Sequence, residues 1–435
     1  MAKIKKNINR KKCELLAPAG NFEKVRYALE FGADAVYAGV PDFSLRARIR
    51  GFDDENILET IDYVHKEKKK IYLTANIFAH NGHLEGLKKH LKIYKDHLPD
   101  AFIVSDIGVM ETIRGVYPRV SIHVSTQANT TNFAAVKFWK KYGVSRVILA
   151  RELSLEEIRE IHRKVPKMEL EYFVHGAMCM AYSGRCFLSA WQTGRSSNLG
   201  DCAQNCRWGY ALVEEKRPGE YIPVEQDNFG TYLLNSKDLC LVEYLDELKE
   251  AGVTSFKIEG RAKSVSYLAQ AVKSYHTALD IKPNDKDKKQ KIRKIKKDLT
   301  EIVNRGYTTG FLFGECKEKG QEPRFSHIEE KYEFVGEVVS TKGQTKGQSL
   351  SHQKDYPSRT VLDNLIKIRV HNALCVKDRI QVLQPKGENF FCKVLAIYDD
   401  KTLEKLESAH GGQNRQVYIK INKKPQVMSI LRKEK

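Results

Sequence analysis

The strongest constraint on the fold is an order of elements that recurs along the chain: an amphipathic helix, a glycine and a short apolar strand. It occurs as EFGADAVYAG around Gly32, KYGVSRVILA around Gly143 and EAGVTSFKIEG around Gly252. Helices prefer glycine just beyond their C-terminal end, because glycine adopts a left-handed backbone without strain. The strands that follow are apolar on both faces, as in a parallel sheet covered by helices. The pattern therefore predicts repeated strand–helix units.

Eight such strands can be marked in the first part of the chain, with helical stretches between most of them. The predicted strands span residues 13–18, 34–39, 70–77, 101–106, 119–125, 145–151, 169–175 and 255–259. The predicted helices include residues 21–32, 54–68, 84–96, 131–142, 154–164 and 241–252. Eight units predict an α/β fold of the TIM-like (β/α)8 barrel type. An open doubly wound sheet is the alternative, but no GxGxxG sequence follows the first strand to support it.

The chain of 435 residues has room for two or three domains. We assign residues 1–12 to a basic N-terminal tail, 13–282 to the barrel as the catalytic domain, and 283–330 to a lysine-rich helical linker. From 331 to 435 the pattern changes to alternating strands separated by turns, which predicts a small antiparallel β-barrel. Lys and Arg stud its strands, so we expect it to dock RNA. A stabilising accessory domain is the alternative.

One unit of the predicted barrel is interrupted by a long loop. Residues 176–240 separate the strand at 169–175 from the next predicted helix. Loops longer than about 12–15 residues usually have a function. A loop that follows a barrel strand emerges at the C-terminal face, where active sites of such barrels lie. We therefore expect the functional site at this loop.

Four cysteines fall within the loop, in the spacing Cys179-x6-Cys186-x15-Cys202-x3-Cys206. Sets of four thiolates bind either zinc or iron–sulfur clusters. Zinc sites typically use closely spaced C-x2–4-C pairs, and only the last pair here comes close. Glycines near the cysteines allow the backbone to pass close to a bulky cluster. The spacing favours an iron–sulfur cluster, with zinc as the alternative metal.

The composition indicates the compartment and the kind of partner. No apolar run reaches the ~18–20 residues of a membrane span, and no apolar stretch follows the basic N-terminus as in a signal peptide. We therefore expect a cytoplasmic protein without membrane contact, in which nine cysteines are thiols or metal ligands rather than disulfides. The net charge of +19 favours a polyanionic partner, because Lys and Arg release phosphate counterions on binding. A generally basic surface is the alternative.

Several long segments resemble the U32 collagenase-like peptidase family. They are PAGNFEK near the first strand, HVSTQANTTN (123–132), EYFVHGAMCMAYSGRCFLS (171–189), SSNLGDCAQNCR (196–207), LLNSKDLC (233–240) and FKIEGRAKS (256–264). The resemblance covers essentially all of residues 13–280, and the predicted C-terminal barrel also has a counterpart in the family.

The subgroup that the chain most resembles modifies RNA. Its members are associated with forming 5-hydroxyuridine at the tRNA wobble position, carry an iron–sulfur cluster on four cysteines, and are linked to prephenate. The resemblance implies a 4Fe-4S cluster on Cys179, Cys186, Cys202 and Cys206, tRNA as substrate, and prephenate, a small dicarboxylate, as co-substrate. A sister subgroup hydroxylates a cytidine in large-subunit rRNA, which is one alternative. The oligomeric state stays open: a homo-oligomer and a hetero-oligomer with a family paralogue are both compatible with the sequence.

Polar residues at the C-terminal ends of the predicted strands would face such a site. We predict catalytic roles for His123 and Glu259, and substrate binding by Arg46, Arg48, Asn76, Gln127, His175 and Arg261. The arginines suit a dicarboxylate because guanidinium groups pair with it bidentately. A histidine such as His123 titrates near neutral pH and can act as acid or base. The alternatives are an ion pair between Arg261 and Glu259, and a packing role for His175.

Aromatic residues flank the four cysteines. They are Tyr182, Phe187, Trp191, Trp208 and Tyr210. We expect most of them to shield the cluster from water, with stacking on RNA bases as the alternative.

A peptidase is the alternative from another functional class, as the family name implies. Peptide hydrolysis needs an activated nucleophile or a metal-bound water. The sequence contains neither GxSxG nor HExxH, and a four-thiolate zinc site leaves no position for water. RNA hydroxylation accounts better for the basic charge, the appended barrel and a redox-capable cluster.

Overall fold

The computed structural model describes residues 13–45, 51–210, 212–213, 221–222, 235–314, 320–322, 327–341 and 365–435. The predicted basic tail at residues 1–12 lies outside these ranges. Within them, two β-barrels follow one another along the chain.

Eight parallel strands close into the first barrel. They are β1 (Glu14–Pro18), β2 (Ala35–Gly39), β3 (Lys70–Ala75), β4 (Ala101–Val104), β5 (Ser121–Val124), β6 (Arg146–Ile148), β7 (Glu169–Ala177) and β11 (Val253–Ile258). Each strand pairs with its neighbour in this order, and β11 pairs with both β7 and β1, so the sheet has no open edge. The prediction of a TIM-like (β/α)8 barrel is therefore confirmed.

Helices follow most of the strands and cover the outside of the barrel. The helices in the described part of the chain are α1 (Phe22–Glu30), α2 (Asp54–Lys66), α3 (Asn81–His90), α4 (Ile107–Val116), α5 (Phe133–Lys141), α6 (Leu155–Lys164), α7 (Leu188–Thr193), α8 (Leu245–Glu250), α9 (Val265–Asp280) and α10 (Lys288–Thr300). Capping boxes at Asp53 and Ser154 begin α2 and α6. The helix predicted at 84–96 ends at His90 and continues as a 3-10 turn, Leu91–Tyr94. This tighter winding places Leu91 and Tyr94, both buried, on the same side.

The long loop after β7 returns to that same strand. It contains α7, a two-stranded pair of β8 (Leu212–Val213) and β9 (Tyr221–Ile222), and then β10 (Asp238–Cys240). β10 runs antiparallel to the end of β7, with Cys240 opposite His175. The two ends of the loop are therefore joined by a short strand pair at the mouth of the barrel.

The segment expected to be a linker divides into two parts. Its first part contains the lysine-rich helix α10. After α10 the chain returns to the barrel, where β12 (Tyr307–Thr308) pairs with β10 and the amide of Leu155 donates to the carbonyl of Leu312 at 2.9 Å. Residues beyond α10 thus contribute to the wall around the cysteine loop.

Six antiparallel strands close into the second barrel. Among the described residues of this domain, the strands are β13 (Tyr332–Ser340), β14 (Ile366–Val370), β15 (Leu374–Cys375), β16 (Arg379–Leu383), β17 (Phe390–Asp399), β18 (Lys405–Leu406), β19 (Ser408–Ala409), β20 (Gln416–Ile421) and β21 (Ile430–Glu434). The ring runs β16-β21-β13-β14-β20-β17 and closes through pairing of β17 with β16. The expected C-terminal antiparallel barrel is thereby confirmed.

Polar contacts join the second barrel to helices of the first. The Lys273 ammonium on α9 donates to the carbonyls of Gln384 and Gly387 at 2.6 and 2.8 Å, and to Asn389 Oδ1 at 2.6 Å. Tyr27 on α1 donates to the Glu337 carboxylate. In the part of the chain that the structure describes, no helix has the length and apolar character needed to cross a membrane.

Candidate active site at the mouth of the first barrel

A cavity of about 640 Å³ opens where the barrel strands end and the cysteine loop begins. Its wall combines residues from several barrel strands with residues of the loop between 177 and 207. Six cationic side chains line it, against three carboxylates. The cations are Arg151, Arg185, Arg195, Arg207, Lys257 and Arg261, and the carboxylates are Glu152, Asp201 and Glu259. The excess of positive charge favours anionic ligands.

All four cysteines of the loop line this cavity. Cys179 follows β7 and Cys186 precedes α7, while Cys202 and Cys206 lie in the turns after α7. The sequence placed these four thiols in one loop, and the fold brings them to one side of one cavity.

Local hydrogen bonds fix the backbone around the cysteines. Ser197 Oγ donates to the carbonyl of Cys186 at 2.7 Å, and the amide of Cys186 donates to Asn198 Oδ1 at 3.3 Å. The amide of Gln204 donates to the sulfur of Cys202 at 3.4 Å. These bonds hold the backbone next to Cys186 and Cys202 in place.

The thiols lie within electrostatic reach of one another. Burial raises the pKa of the Cys179 thiol, and the neighbouring Cys186 and Cys202 raise it further. Burial also raises the pKa of Cys206, with added contributions from Cys179 and Cys202. Because neighbouring thiols oppose ionisation of Cys179 and Cys206, a cation bound beside these two residues would favour their thiolate forms.

A single zinc ion and an iron–sulfur cluster place different demands on four thiol donors. Around one zinc ion with Zn–S bonds of about 2.3 Å, the sulfurs would lie about 3.8 Å apart. Within the described ranges, no three His, Cys, Asp or Glu side chains are arranged to hold one metal ion. In a 4Fe-4S cluster each cysteine binds a different iron, so the sulfurs lie farther apart around one shared group.

Gly176 has a different role from the one expected of glycines near a cluster. Its φ is +103°, and a Cβ at this position would lie 2.5 Å from the carbonyl oxygen of Glu259. The glycine therefore allows the end of β7 to approach the segment after β11. This close approach brings Glu259 and the first cysteine of the loop to the same cavity.

Asn76 and Gln127 form an amide pair on one wall of the cavity. Asn76 Nδ2 donates to Gln127 Oε1 at 3.0 Å, and Asn76 Oδ1 accepts from the amide of Leu45 at 3.2 Å. The guanidinium of Arg185, on the cysteine loop, donates to the carbonyl of Gln127 at 2.8 Å. The predicted positions Asn76 and Gln127 are thus both at the site and in contact with each other.

Arg261 and Glu259, which follow β11, also line the cavity. The Arg261 guanidinium donates to Ser44 Oγ at 2.7 Å and to Thr74 Oγ1 at 3.2 Å, and also to the carbonyl of Leu45. These contacts hold the guanidinium against the wall through uncharged oxygens.

Two of the predicted arginines, Arg46 and Arg48, lie outside the described residues. Their role in binding a dicarboxylate stays a prediction. A different arginine, Arg151, lines the cavity on the side opposite Arg261. It donates to the carbonyl of Ala177 at 3.1 Å, and its guanidinium lies 3.9 Å from the centre of the Phe173 ring.

His123 lies beneath the cavity and is not among the residues that line it. The ring is buried and edge-on to Tyr72, with centroids 4.7 Å apart. Burial, together with the positive charges of Arg146 and Lys257, holds the pKa of His123 well below its usual range. The ring is therefore neutral at neutral pH. Because it does not line the cavity, His123 could affect a bound ligand only through the residues that lie between them.

His175 points away from the cavity because the strand pairing is irregular at this point. Phe173 lies opposite Lys257, but His175 lies opposite Ile258, so β7 advances two residues while β11 advances one. Such a bulge changes the face on which a side chain lies. His175 consequently packs among tyrosine rings from α9 and β12, and burial lowers its pKa to about 4. This position matches the packing alternative rather than contact with a ligand in the cavity.

Lys257 is a site residue that the sequence analysis missed. It lines the floor of the cavity, and its ammonium donates to Glu171 Oε1 at 2.7 Å. The ammonium also lies 4.3 Å from the centre of the Tyr37 ring. Burial lowers the pKa of Lys257, whereas Glu171 raises it. The charge of this lysine is therefore held at the base of the cavity by a buried carboxylate.

Glu171 belongs to an ionic cluster inside the barrel. Arg146 donates to Glu171 Oε2 at 3.1 Å, to Glu14 Oε1 at 2.5 Å and to Glu169 Oε2 at 3.1 Å. The signal for these residues was present in the sequence as charged side chains in otherwise apolar strands, such as Glu14 in CELLAP and Lys257 in SFKIE. Alternate residues of a barrel strand face its interior, so such charges predict an internal polar layer.

Comparison with known proteins identifies the family. The family described as "Peptidase family U32" matches residues 20–322, and "Peptidase family U32 C-terminal domain" matches residues 330–432. The chain is 38% identical over 444 residues to tRNA hydroxylation protein P of Escherichia coli (strain K12), covering 92% of this chain and 90% of that protein. It is 36% identical over 432 residues to tRNA hydroxylation protein P1 of Bacillus subtilis (strain 168), covering 99% and 97%. It is also 42% identical over 339 residues to an uncharacterized protease of Methanocaldococcus jannaschii, covering 75% and 80%. The chain belongs to peptidase family U32.

Proposed function

We propose that this chain hydroxylates uridine in tRNA, forming 5-hydroxyuridine at the wobble position. The proposed cofactor is an iron–sulfur cluster on the four loop cysteines, and the proposed co-substrate is a small dicarboxylate such as prephenate. One observation carries the proposal: four thiols line a cationic cavity in a chain whose near full-length relatives are named for tRNA hydroxylation.

Burial raises the pKa of the Cys179 and Cys206 thiols, and the positive charges of Arg151 and Arg207 offset part of that rise. The thiolate is the form that binds iron, so binding of a cluster would favour ionisation of these thiols. A bound cluster would supply one-electron transfer. The loop residues hold the four donors in place, and the cavity beside them provides space for a ligand.

Three cations at different heights suit a dicarboxylate. Lys257 lies at the floor, while Arg261 and Arg151 lie on opposite walls. The hydrogen bonds of Arg261 to Ser44 and Thr74 restrict its guanidinium to one orientation, so less conformational entropy is lost when an anion binds. The amide pair of Asn76 and Gln127 offers uncharged donors and acceptors for the remaining polar groups of the ligand.

The peptidase alternative finds less support in the same cavity. None of the described residues that line it is a histidine, so its wall offers no imidazole as the general base that would activate a serine or cysteine. The described residues also offer no three-ligand site for a hydrolytic metal ion. The lining therefore offers the thiols and cations that the proposed hydroxylation would use, but not the histidine or three-ligand metal site that hydrolysis would use.

The second barrel is proposed to dock RNA. Arg379 lies 4.6 Å from the centre of the exposed Phe391 ring, and Lys423 lies 4.3 Å from that of Phe390. Basic side chains over aromatic rings can contact both phosphates and bases. These pairs support docking over a purely stabilising role.

Deletion of the gene tests the proposal. Total tRNA from the deletion strain should lack 5-hydroxyuridine and its derivatives when its nucleosides are measured by mass spectrometry. Plasmid-borne wild-type protein should restore them, and Cys186→Ala should not. The matched control is Cys375→Ala, because Cys375 lies in the second barrel, away from the cavity.

Two results would overturn the proposal. Unchanged 5-hydroxyuridine in the deletion strain would exclude tRNA uridine as the substrate. Loss of 5-hydroxycytidine from large-subunit rRNA, with tRNA unchanged, would assign the chain to the sister reaction instead.

A further inference from the structure

Four aromatic side chains of the cysteine loop are exposed around the cavity. The exposed fractions are 56% for Tyr182, 75% for Phe187, 72% for Trp191 and 48% for Trp208. We call these four residues the aromatic rim. Shielding of a cluster from water requires rings that are themselves buried, and these rings face solvent. Exposed aromatic groups of this size mark a binding surface more often than a structural element.

Three residues of the rim, Phe187, Trp191 and Trp208, lie on connected segments at the edge of the cavity. Phe187 lines the cavity, and the amide of Trp191 donates to the carbonyl of Phe187 at 2.9 Å, so the two rings lie one helical turn apart on the same face. Trp208 follows the turn Asn205–Arg207, and Asn205 Nδ2 donates to the carbonyl of Leu188 at 3.2 Å. This hydrogen bond ties the Trp208 turn to α7, which carries Trp191.

Positive charge accompanies the rim. Between residues 177 and 210 the sequence has three arginines and one carboxylate, Asp201, which pairs with Arg195 at 2.9 Å. Arg185 is exposed, and its guanidinium donates to the uncharged carbonyl of Gln127. Aromatic rings interleaved with arginines are the combination that binds single-stranded nucleic acid, because rings stack on bases and guanidinium groups contact phosphates.

We propose that the aromatic rim stacks the unpaired bases next to the target nucleotide of an RNA loop, so that the target base enters the cavity between them. The inference rests on the proposed function and adds the surface that holds the neighbouring nucleotides. Sequence-independent stacking of this kind needs unstacked bases, which a hairpin loop offers and a duplex does not.

Binding of a fluorescently labelled RNA hairpin with a single-stranded loop, measured by anisotropy with anaerobically purified full-length protein, tests the inference. Trp191→Ala should weaken hairpin binding by about thirtyfold, the middle of the range for losing one stacked base. Trp191→Phe keeps an aromatic ring and should largely restore it. Affinity for a fully paired duplex of the same strand should not change. Phe138→Ala is the matched control, because Phe138 is an exposed ring on the outer helix α5.

Trp191 is exposed, so Trp191→Ala should fold, and an iron content and melting temperature equal to those of wild type would check this. If either value differs from wild type, Phe187→Ala is the second variant. Unchanged hairpin affinity in both variants would show that the aromatic rim does not stack bases. The proposed function would still stand in that case if the deletion strain lacks 5-hydroxyuridine. If wild-type protein self-associates and Trp191→Ala does not, while hairpin affinity is unchanged, the inference would also be overturned, and the rim would be a subunit interface. A wild-type protein that binds no hairpin would count against both proposals.

Discussion

Arg305 and Asp238 form a buried ion pair next to the cysteine loop, with Arg305 Nε 2.9 Å from Asp238 Oδ1. Another nitrogen of the same guanidinium donates to the carbonyl of Met178 at 3.4 Å. Met178 directly precedes Cys179, and Arg305 comes from the segment after α10. The pair therefore connects the first cysteine of the loop to a part of the chain more than a hundred residues away.

Arg305→Ala should destabilise the protein by about 3–5 kcal/mol, because it leaves the Asp238 carboxylate buried without its partner. The same variant should retain less iron, since the carbonyl before Cys179 loses its donor. Urea denaturation and iron content measure the two effects. Lys331→Met is the control, because the Lys331–Glu434 pair is at the surface and its loss should not be measurable. Full stability and full iron in Arg305→Ala would show that the pair does not support the loop.

Lys257→Met should weaken binding of prephenate by about tenfold or more. The change removes one charge-assisted hydrogen bond from the cavity floor but keeps the length of the side chain against Tyr37. Isothermal titration with prephenate measures the affinity, and Lys393→Met, an exposed lysine in the second barrel, is the control. Equal affinities for wild type and Lys257→Met would place the anion elsewhere.

Lys273→Met should weaken the contact between the two barrels. The ammonium of Lys273 donates to three oxygens at the turn between β16 and β17, and methionine leaves all three without a donor. We expect a loss of roughly 2 kcal/mol in the free energy of unfolding, with faster proteolysis between the domains. Lys393→Met again serves as the control. Unaltered unfolding and proteolysis would mean that other contacts hold the barrels together.

Glu14→Gln should change how stability depends on pH. Burial opposes ionisation of Glu14, but Arg146 and hydrogen bonds from Tyr72 and Ser255 hold its pKa below the ordinary value of 4.5. A carboxyl with a lowered folded-state pKa contributes stability above its unfolded pKa and loses it as the pH falls through the folded value. The variant should therefore be less stable than wild type at neutral pH, and the difference should narrow below about pH 4. Urea denaturation at a series of pH values measures this, and a constant difference would contradict it.

Much of the fold was predictable because its signals are local. Apolar strands recur in each unit and a glycine stop precedes three of them, so the eight strands could be marked from the sequence. The close spacing of the cysteines likewise indicated one site. In contrast, the bulge that turns His175 outward depends on the pairing of β7 with β11, which no local pattern records.

The rest of the site arises from contacts between distant segments. Arg305 was assigned to a linker, and only the return of the chain after α10 brings it to Met178. Lys257 carried a usable signal, because a lysine in a buried barrel strand must face inward to a partner. His123 lies near the end of its strand as predicted, but the ring is buried and does not line the cavity.

Iron and acid-labile sulfide, measured with the ultraviolet–visible spectrum of anaerobically purified protein, test the central claim most directly. If Cys179, Cys186, Cys202 and Cys206 hold a 4Fe-4S cluster, the protein should be brown and contain about four iron and four sulfide ions per chain. Cys186→Ala should lose most of both, while Cys375→Ala should keep them. A colourless protein with one zinc ion and no sulfide would contradict the account, because it would remove the redox chemistry on which the proposed hydroxylation depends.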